Sequence, residues 1–318
     1  MSAHAIGNAG FPVSVAHDRS GFRQFAWITL GWNLLVVVWG AFVRASGSGA
    51  GCGSHWPTCN GEVVPQAPGA KTLIEFTHRA MSGLALVGVA ILVWWAWRVF
   101  PRRHRVRKAA AASVVLMLTE ALLGAGLVLF QYVAGNVSVG RAIYLSAHMV
   151  NTLLLIAAIA LAAWWSRDDS RAPRAGAGWL IGVGLASVVA IAVTGVIAAL
   201  GDTLFPASSL AQGVAQDFAP TANFLIRLRV LHPLLAGMGA VYLISAALIV
   251  MLNSKDRLIR RISTGLIAIV GVQVLMGVVN LALLAPVWTQ LLHLLVADVV
   301  WIFLVILACE KAALPERL

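Results

Sequence analysis

Eight long apolar runs constrain this chain more than any other feature: residues 25–43, 73–97, 110–131, 143–166, 177–199, 226–252, 262–285 and 290–308. A bilayer core of about 30 Å is crossed by roughly 20 apolar residues as helix, and each run reaches or approaches that length. The runs are continuously apolar and lack a period of two, so they read as helices rather than barrel strands. Composition points the same way: 60% of the 318 residues are hydrophobic and 11% charged, with mean hydropathy +0.88. A soluble domain cannot cover that much apolar surface with a polar skin. The expected fold class is an all-α integral membrane protein with eight transmembrane helices.

The net charge of +11 would suggest nucleic acid in a soluble protein, but its distribution excludes that. The segments before the first run, after the last, and between runs two and three, four and five, and six and seven hold 17 of the 23 Lys and Arg residues. Arg44, Lys71, Arg79, Arg141, Arg227 and Arg229 lie at the opposite ends of the runs. By the positive-inside rule both termini are cytoplasmic and the odd-to-even connections face outward. The basic run Arg102–Lys108 is then a lipid-headgroup anchor. Trp94, Trp95, Trp97, Trp164 and Trp165 gather at the same ends, as an interfacial belt does. Residues 1–24 have neither a basic n-region before a short apolar core nor a cleavage site, so they read as a cytoplasmic tail rather than a signal peptide. Few arginines and an Asp18 also make a poor mitochondrial presequence, which leaves a bacterial inner membrane as the expected location.

The eight runs divide into two fours, 25–166 and 177–308, joined by a basic linker at 167–176 and followed by a tail at 309–318. His78–Gly83 (HRAMSG) in the second run matches His232–Gly237 (HPLLAG) in the sixth. Glu120–Gly124 (EALLG) in the third matches Gln273–Gly277 (QVLMG) in the seventh. Four crossings return a chain to its starting side, so the repeat is parallel: two tandem, pseudo-twofold four-helix bundles.

Cys52 and Cys59 lie in the loop 44–72 between the first two runs, on the outward and oxidising side. Their spacing allows a small loop closed by a disulfide. The pattern is neither CxxC nor CxxCH, and His55 adds only a third ligand, so zinc or heme attachment is disfavoured. Redox exchange by an exposed pair stays open. Cys309 has no second cysteine nearby and reads as an ordinary thiol.

Of eight histidines, His4, His17, His55 and His104 fall in tails or loops and are expected to be solvated. His78, His148, His232 and His293 fall near the outer ends of the second, fourth, sixth and eighth runs, roughly 5–10 Å inside the boundary at 1.5 Å per residue. One histidine in a membrane can simply bond a neighbouring helix; one on every even run, at one depth, is hard to explain that way. Pairs of imidazoles on facing helices of a four-helix bundle are how membrane cytochromes hold heme iron. Zinc would need further donors. A proton relay would need a chain of acids that Glu75, Glu120 and Asp298 do not obviously form. Two heme sites are therefore expected, with metal ligands His78, His148, His232 and His293. Glu75 precedes His78 by three positions and shares its helix face, while Arg229 occupies that offset before His232, so the two sites are expected to do different jobs. A plain ion pair between Glu75 and Arg79 is the structural alternative. Arg44, Arg79, Arg141, Arg227 and Arg229 are candidates for holding heme propionates.

The stretches GAFVRASGSGAGC (Gly40–Cys52), WPTCNG (Trp56–Gly61), LIEFTHR (Leu73–Arg79), LGDTLFPASSL (Leu200–Leu210) and RLRVLHP (Arg227–Pro233), with the histidine of the eighth run, resemble the heme A synthase family. The resemblance spans nearly the whole membrane region. It implies oxidation of the C8 methyl of heme O to a formyl group, for the cofactor of cytochrome oxidases. It implies a substrate heme on His78 and His148, a resident heme b on His232 and His293, Glu75 as the catalytic carboxylate, and Cys52–Cys59 as the outer-loop disulfide. Some members carry a second cysteine pair between the fifth and sixth helices. The loop 200–225 has none here, and its length suggests an ordered lid.

Turning CH3 into CHO takes two two-electron oxidations, through an alcohol and a gem-diol that loses water, and C–H oxidation calls for a metal cofactor. Expected partners are heme O, membrane lipid, a heme O synthase and a redox partner, with oligomerisation open and no nucleic acid. Two other classes fit the sequence less well. A di-heme b cytochrome that only carries electrons would favour hemes in both leaflets. A repeat-built transporter would favour proline-broken helix pairs.

Overall fold

The computed structural model describes residues 13–168 and 178–313. Most of the expected linker, part of the first 24 residues and the end of the C-terminal tail lie outside the described residues. Ten helices follow in order: α1 (Val13–Ala45), α2 (Ala70–Val99), α3 (Arg105–Leu129), α4 (Val139–Trp165), α5 (Trp179–Leu204), α6 (Leu210–Asp217), α7 (Phe224–Arg229), α8 (Leu231–Asn253), α9 (Arg257–Ala282) and α10 (Val287–Ala313). Among the described residues eight spans, with α7 and α8 sharing one, are long and apolar enough to cross a membrane. This is a multi-pass membrane protein.

The helices outrun the apolar stretches, and several begin at a side-chain cap rather than at a change of hydropathy. Asp256 caps α9 through the amides of Leu258 at 2.7 Å and Ile259 at 3.3 Å, and Ser138 caps α4 through Arg141 N at 3.3 Å. Each satisfies a donor that the first helical turn leaves unpaired. His104, expected to be solvated, instead caps α3: its Nδ1 accepts from Val106 N at 3.2 Å while the ring stacks on Phe100. The first helix runs back to Val13, so Asp18–Arg23 belong to a helix rather than to a free tail.

In the first half α1–α2, α2–α3, α3–α4 and α4–α1 pack as a closed antiparallel ring; in the second, α5–α8, α8–α9, α9–α10 and α10–α5 do the same. The rings superpose by role, α1 with α5, α2 with α8, α3 with α9 and α4 with α10. The halves meet through α4 against α10, α4 against α5, α1 against α10 and α1 against α5, the set that a pseudo-twofold axis between α4 and α10 generates. The same order of neighbours therefore recurs in the two sets of helices. The loop 200–225 is ordered in part: α6 is capped by Ser209 and α7 by Asn223. The α7–α8 break at Val230 follows from Pro233, whose ring crowds the carbonyl four residues back, at Arg229, and which has no amide hydrogen to donate to it.

Candidate functional site

All four membrane histidines come from even spans and rest against a glycine of the preceding odd span. A Cβ at Gly40 of α1 would stand 2.9 Å from Cε1 of His78, and one at Gly195 of α5 would stand 2.9 Å from Cε1 of His232. Gly277 of α9 gives 3.2 Å to Cε1 of His293, and Gly124 of α3 gives 3.7 Å to Nε2 of His148. The same four-part arrangement is built twice. Two of these glycines lie in the matched motifs; Gly40 and Gly195 were not singled out, although they sit at one repeat offset.

In the second half the rings of His232 and His293 have centroids 6.2 Å apart, with planes at 89°. An imidazole binds a metal at about 2 Å through nitrogen, so this separation leaves room for one metal ion that both rings would hold. His232 Nδ1 lies 3.2 Å from the carbonyl of Ile191 and 3.4 Å from Thr194 Oγ1. That second contact fixes the ring and leaves Nε2 for a metal. The buried Nδ1 atoms of His78 and His293 have no hydrogen-bond partner among the described residues. No three His, Cys, Asp or Glu side chains converge on one point among the described residues, so His232 and His293 face each other without a third donor of those types. Those features fit bis-histidine heme iron.

Around His148 lies a network built on Glu120, which the sequence offered only as a repeat marker and as an acid without a relay to join. Glu120 Oε1 is 2.8 Å from His148 Nδ1. Its Oε2 accepts from Asn151 Nδ2 at 2.6 Å, and Thr152 Oγ1 bonds the other oxygen. The matched position in the second half is Gln273, whose Nε2 is 3.2 Å from His293 Nε2. Its place four residues before the matched glycine was the available signal.

Glu75 is 3% exposed and spoken for on both oxygens. Arg79 donates to Oε1 at 2.5 Å and the amide of Cys52 to Oε2 at 2.9 Å. Arg79 also donates to the carbonyls of His55 and Thr58 at 2.7 and 2.6 Å, so the Glu75–Arg79 pair fastens the cysteine loop to α2. Within that loop Cys52 and Cys59 form a buried disulfide, with Cα atoms 4.4 Å apart. The loop backbone comes so close to α2 that a Cβ at Gly51 would stand 2.4 Å from the carbonyl oxygen of Lys71.

The five arginines considered for propionates all have protein acceptors. Arg44 donates to the Ala199 carbonyl and Thr203 Oγ1, both at 2.7 Å, and to Gln290 Oε1 at 2.9 Å. Arg141 holds the carbonyls of Ala134 and Asn136. Arg229 pairs with Asp217 at 2.6 Å and Asp202 at 3.0 Å, and Arg227 bonds the carbonyl of Pro220. Asp298 is buried, with Oδ2 unpartnered among the described residues. Cys309 is not isolated: the Trp165 indole donates to its sulfur at 2.7 Å.

Fold and site together define a duplicated helical membrane protein whose halves each present two imidazoles from even spans. Residues 23–305 match the family of cytochrome oxidase assembly proteins (COX15-CtaA), and the chain belongs to that family. A Thermus thermophilus protein named protoheme IX farnesyltransferase is 47% identical over 292 residues, covering 91% of this chain and 48% of that protein. Heme A synthases of Alkalihalophilus pseudofirmus and Shouchella clausii are 43% identical over 97 residues and 39% identical over 112. These cover 30% and 35% of this chain, and 33% and 37% of those proteins. The chain spans about half the length of the Thermus relative it matches.

Proposed function

We propose that the chain is a heme A synthase, oxidising the C8 methyl of heme O to a formyl group. The observation that carries this is the facing imidazole pair of the second half, with two further histidines seated on glycines in the same way in the first, inside a member of the cytochrome oxidase assembly family. His78 and His148 would hold the substrate heme O, and His232 and His293 a resident heme b that relays electrons. Bound heme iron supplies the redox chemistry that side chains lack; the protein supplies position and exclusion of water. Glu75, expected as the catalytic carboxylate, is assigned to positioning. It sits one turn from His78, and through Arg79 and the Cys52 amide it holds the disulfide loop against the first-half site.

The different surroundings of the two pairs support a division of labour between the halves. The arginines at the cysteine-loop end supply positive potential for propionates, although each would have to share its guanidinium with the acceptors it already has. The Thermus relative, twice as long and named for a prenyl transfer to protoheme, supports a heme O synthase as neighbour: farnesylation makes the molecule that methyl oxidation consumes. A redox partner and a bacterial inner-membrane location, with both termini cytoplasmic, complete the assignment.

Co-expression with a heme O supply followed by pigment extraction tests it. Heme A formed only when this chain is present is the expected result. Stable protoheme with no heme A would make it an electron carrier, and no bound heme at all would remove the assignment.

A further inference from the structure

We propose that Glu120 and Gln273 make the two halves unequal as iron sites: the carboxylate strengthens His148 as a ligand to ferric iron, the neutral amide does not strengthen His293, and the first-half site therefore has the lower reduction potential. The inference rests on the bis-histidine reading above and adds a residue pair that governs it. Glu120 and Gln273 occupy equivalent positions, each four residues before the glycine that packs on the histidine of the last helix in its half.

Their contacts differ in kind. Glu120 meets Nδ1 of His148 at 2.8 Å, which puts the proton on Nδ1 and presents the Nε2 lone pair to a metal. Asn151 and Thr152 both bond the carboxylate, so it is fixed and accepts on both oxygens, as an ionised group does. Gln273 instead meets Nε2 of His293 at 3.2 Å, and its own Oε1 and His293 Nδ1 are left without partners among the described residues; the nitrogen a metal would take there is Nδ1, and a carboxylate at 273 would back it through Nε2. A carboxylate behind a ligating imidazole raises the basicity of the ligand, and removing such a partner costs tenfold to about a hundredfold in metal affinity. Inside a membrane protein the low dielectric enlarges the effect of that single negative charge. Extra electron density stabilises ferric over ferrous iron, so the half with Glu120 takes up an electron less readily. Glu120 is a positioning residue here; it acts through His148.

Spectroelectrochemical titration of the purified, heme-loaded full chain tests this with Glu120→Gln, Gln273→Glu and the double exchange, using His232→Ala to remove and so assign the second-half signal. Glu120→Gln is expected to raise the first-half midpoint by about tenfold in the ferric-to-ferrous binding ratio, which is about 59 mV for one electron. Gln273→Glu is expected to lower the second-half midpoint by a similar amount, and the double exchange to invert their order. Two hemes bound with midpoints that stay put, or that move together, would overturn the inference while leaving the heme sites standing. If Glu120→Gln loses the first-half heme, Gln273→Glu decides alone: a lowered midpoint supports the proposal and an unchanged one overturns it. A chain that takes up no heme in any variant overturns the bis-histidine reading, and this inference with it.

Discussion

At the scale of single residues, the four glycines behind the histidines act as spacers whose tolerance is graded by distance. Gly40 and Gly195 leave 2.9 Å between a new Cβ and the imidazole, so alanine there must push the ring away, whereas Gly124 leaves an ordinary 3.7 Å. Gly40→Ala and Gly195→Ala are therefore expected to lose bound heme from one half each, and Gly124→Ala to keep it; heme-to-protein ratios of the purified variants measure the order. Equal heme content in all three would mean that the rings are not held where they bind. Glu75→Ala is expected to lower unfolding stability by about 3 kcal/mol, the lower end for a buried ion pair broken on one side, since Arg79 keeps two carbonyl acceptors. Adding Arg79→Met should recover part of that loss in thermal unfolding, because no buried charge is then stranded; a double variant no more stable than the single would contradict it.

At the scale of elements, the cysteine loop is held by three different means: a disulfide, the Glu75–Arg79 pair and a glycine contact with α2. Closing so short a loop removes about 2.5 kcal/mol of unfolded-state entropy, so Cys52→Ser with Cys59→Ser is expected to loosen the loop more than the helices. Limited proteolysis should then cut within 52–69 while the spans stay intact; global unfolding instead would show that the loop belongs to the bundle's core. The loop between α5 and α8 has no disulfide and uses ion pairs, Arg229 with Asp202 and Asp217. Those pairs are partly buried and so little screened by salt; proteolysis within this loop is expected to stay as slow in high salt as in low.

At the scale of the whole molecule, the two halves are joined at three depths. Arg44 reaches from α1 to α5 and α10 at the cysteine-loop end. The Trp301 indole donates to the Leu153 carbonyl at 2.7 Å in the middle, and Glu310 accepts from Trp164 at 2.6 Å and Arg167 at 3.3 Å at the basic end. Trp301→Phe, which removes one buried hydrogen bond between halves, is expected to cost about 1 kcal/mol. Arg44→Ala, which frees three acceptors between the two proposed sites, should cost more; detergent unfolding of both variants ranks them. The eight spans, and the place of His78, His148, His232 and His293 on the even ones, were legible in the residues alone. Lipid forces every backbone polar group into a helix of readable length, and a polar side chain in such a helix stands out against its neighbours. It took the packed helices to show that Glu120 backs His148 and Gln273 meets His293, that Gly40 and Gly195 seat two rings, that Glu75 holds a loop, and that Trp165 reaches Cys309. Those contacts depend on how each helix is rotated and slid against the next, a sum of many weak packing terms that no local stretch of sequence records.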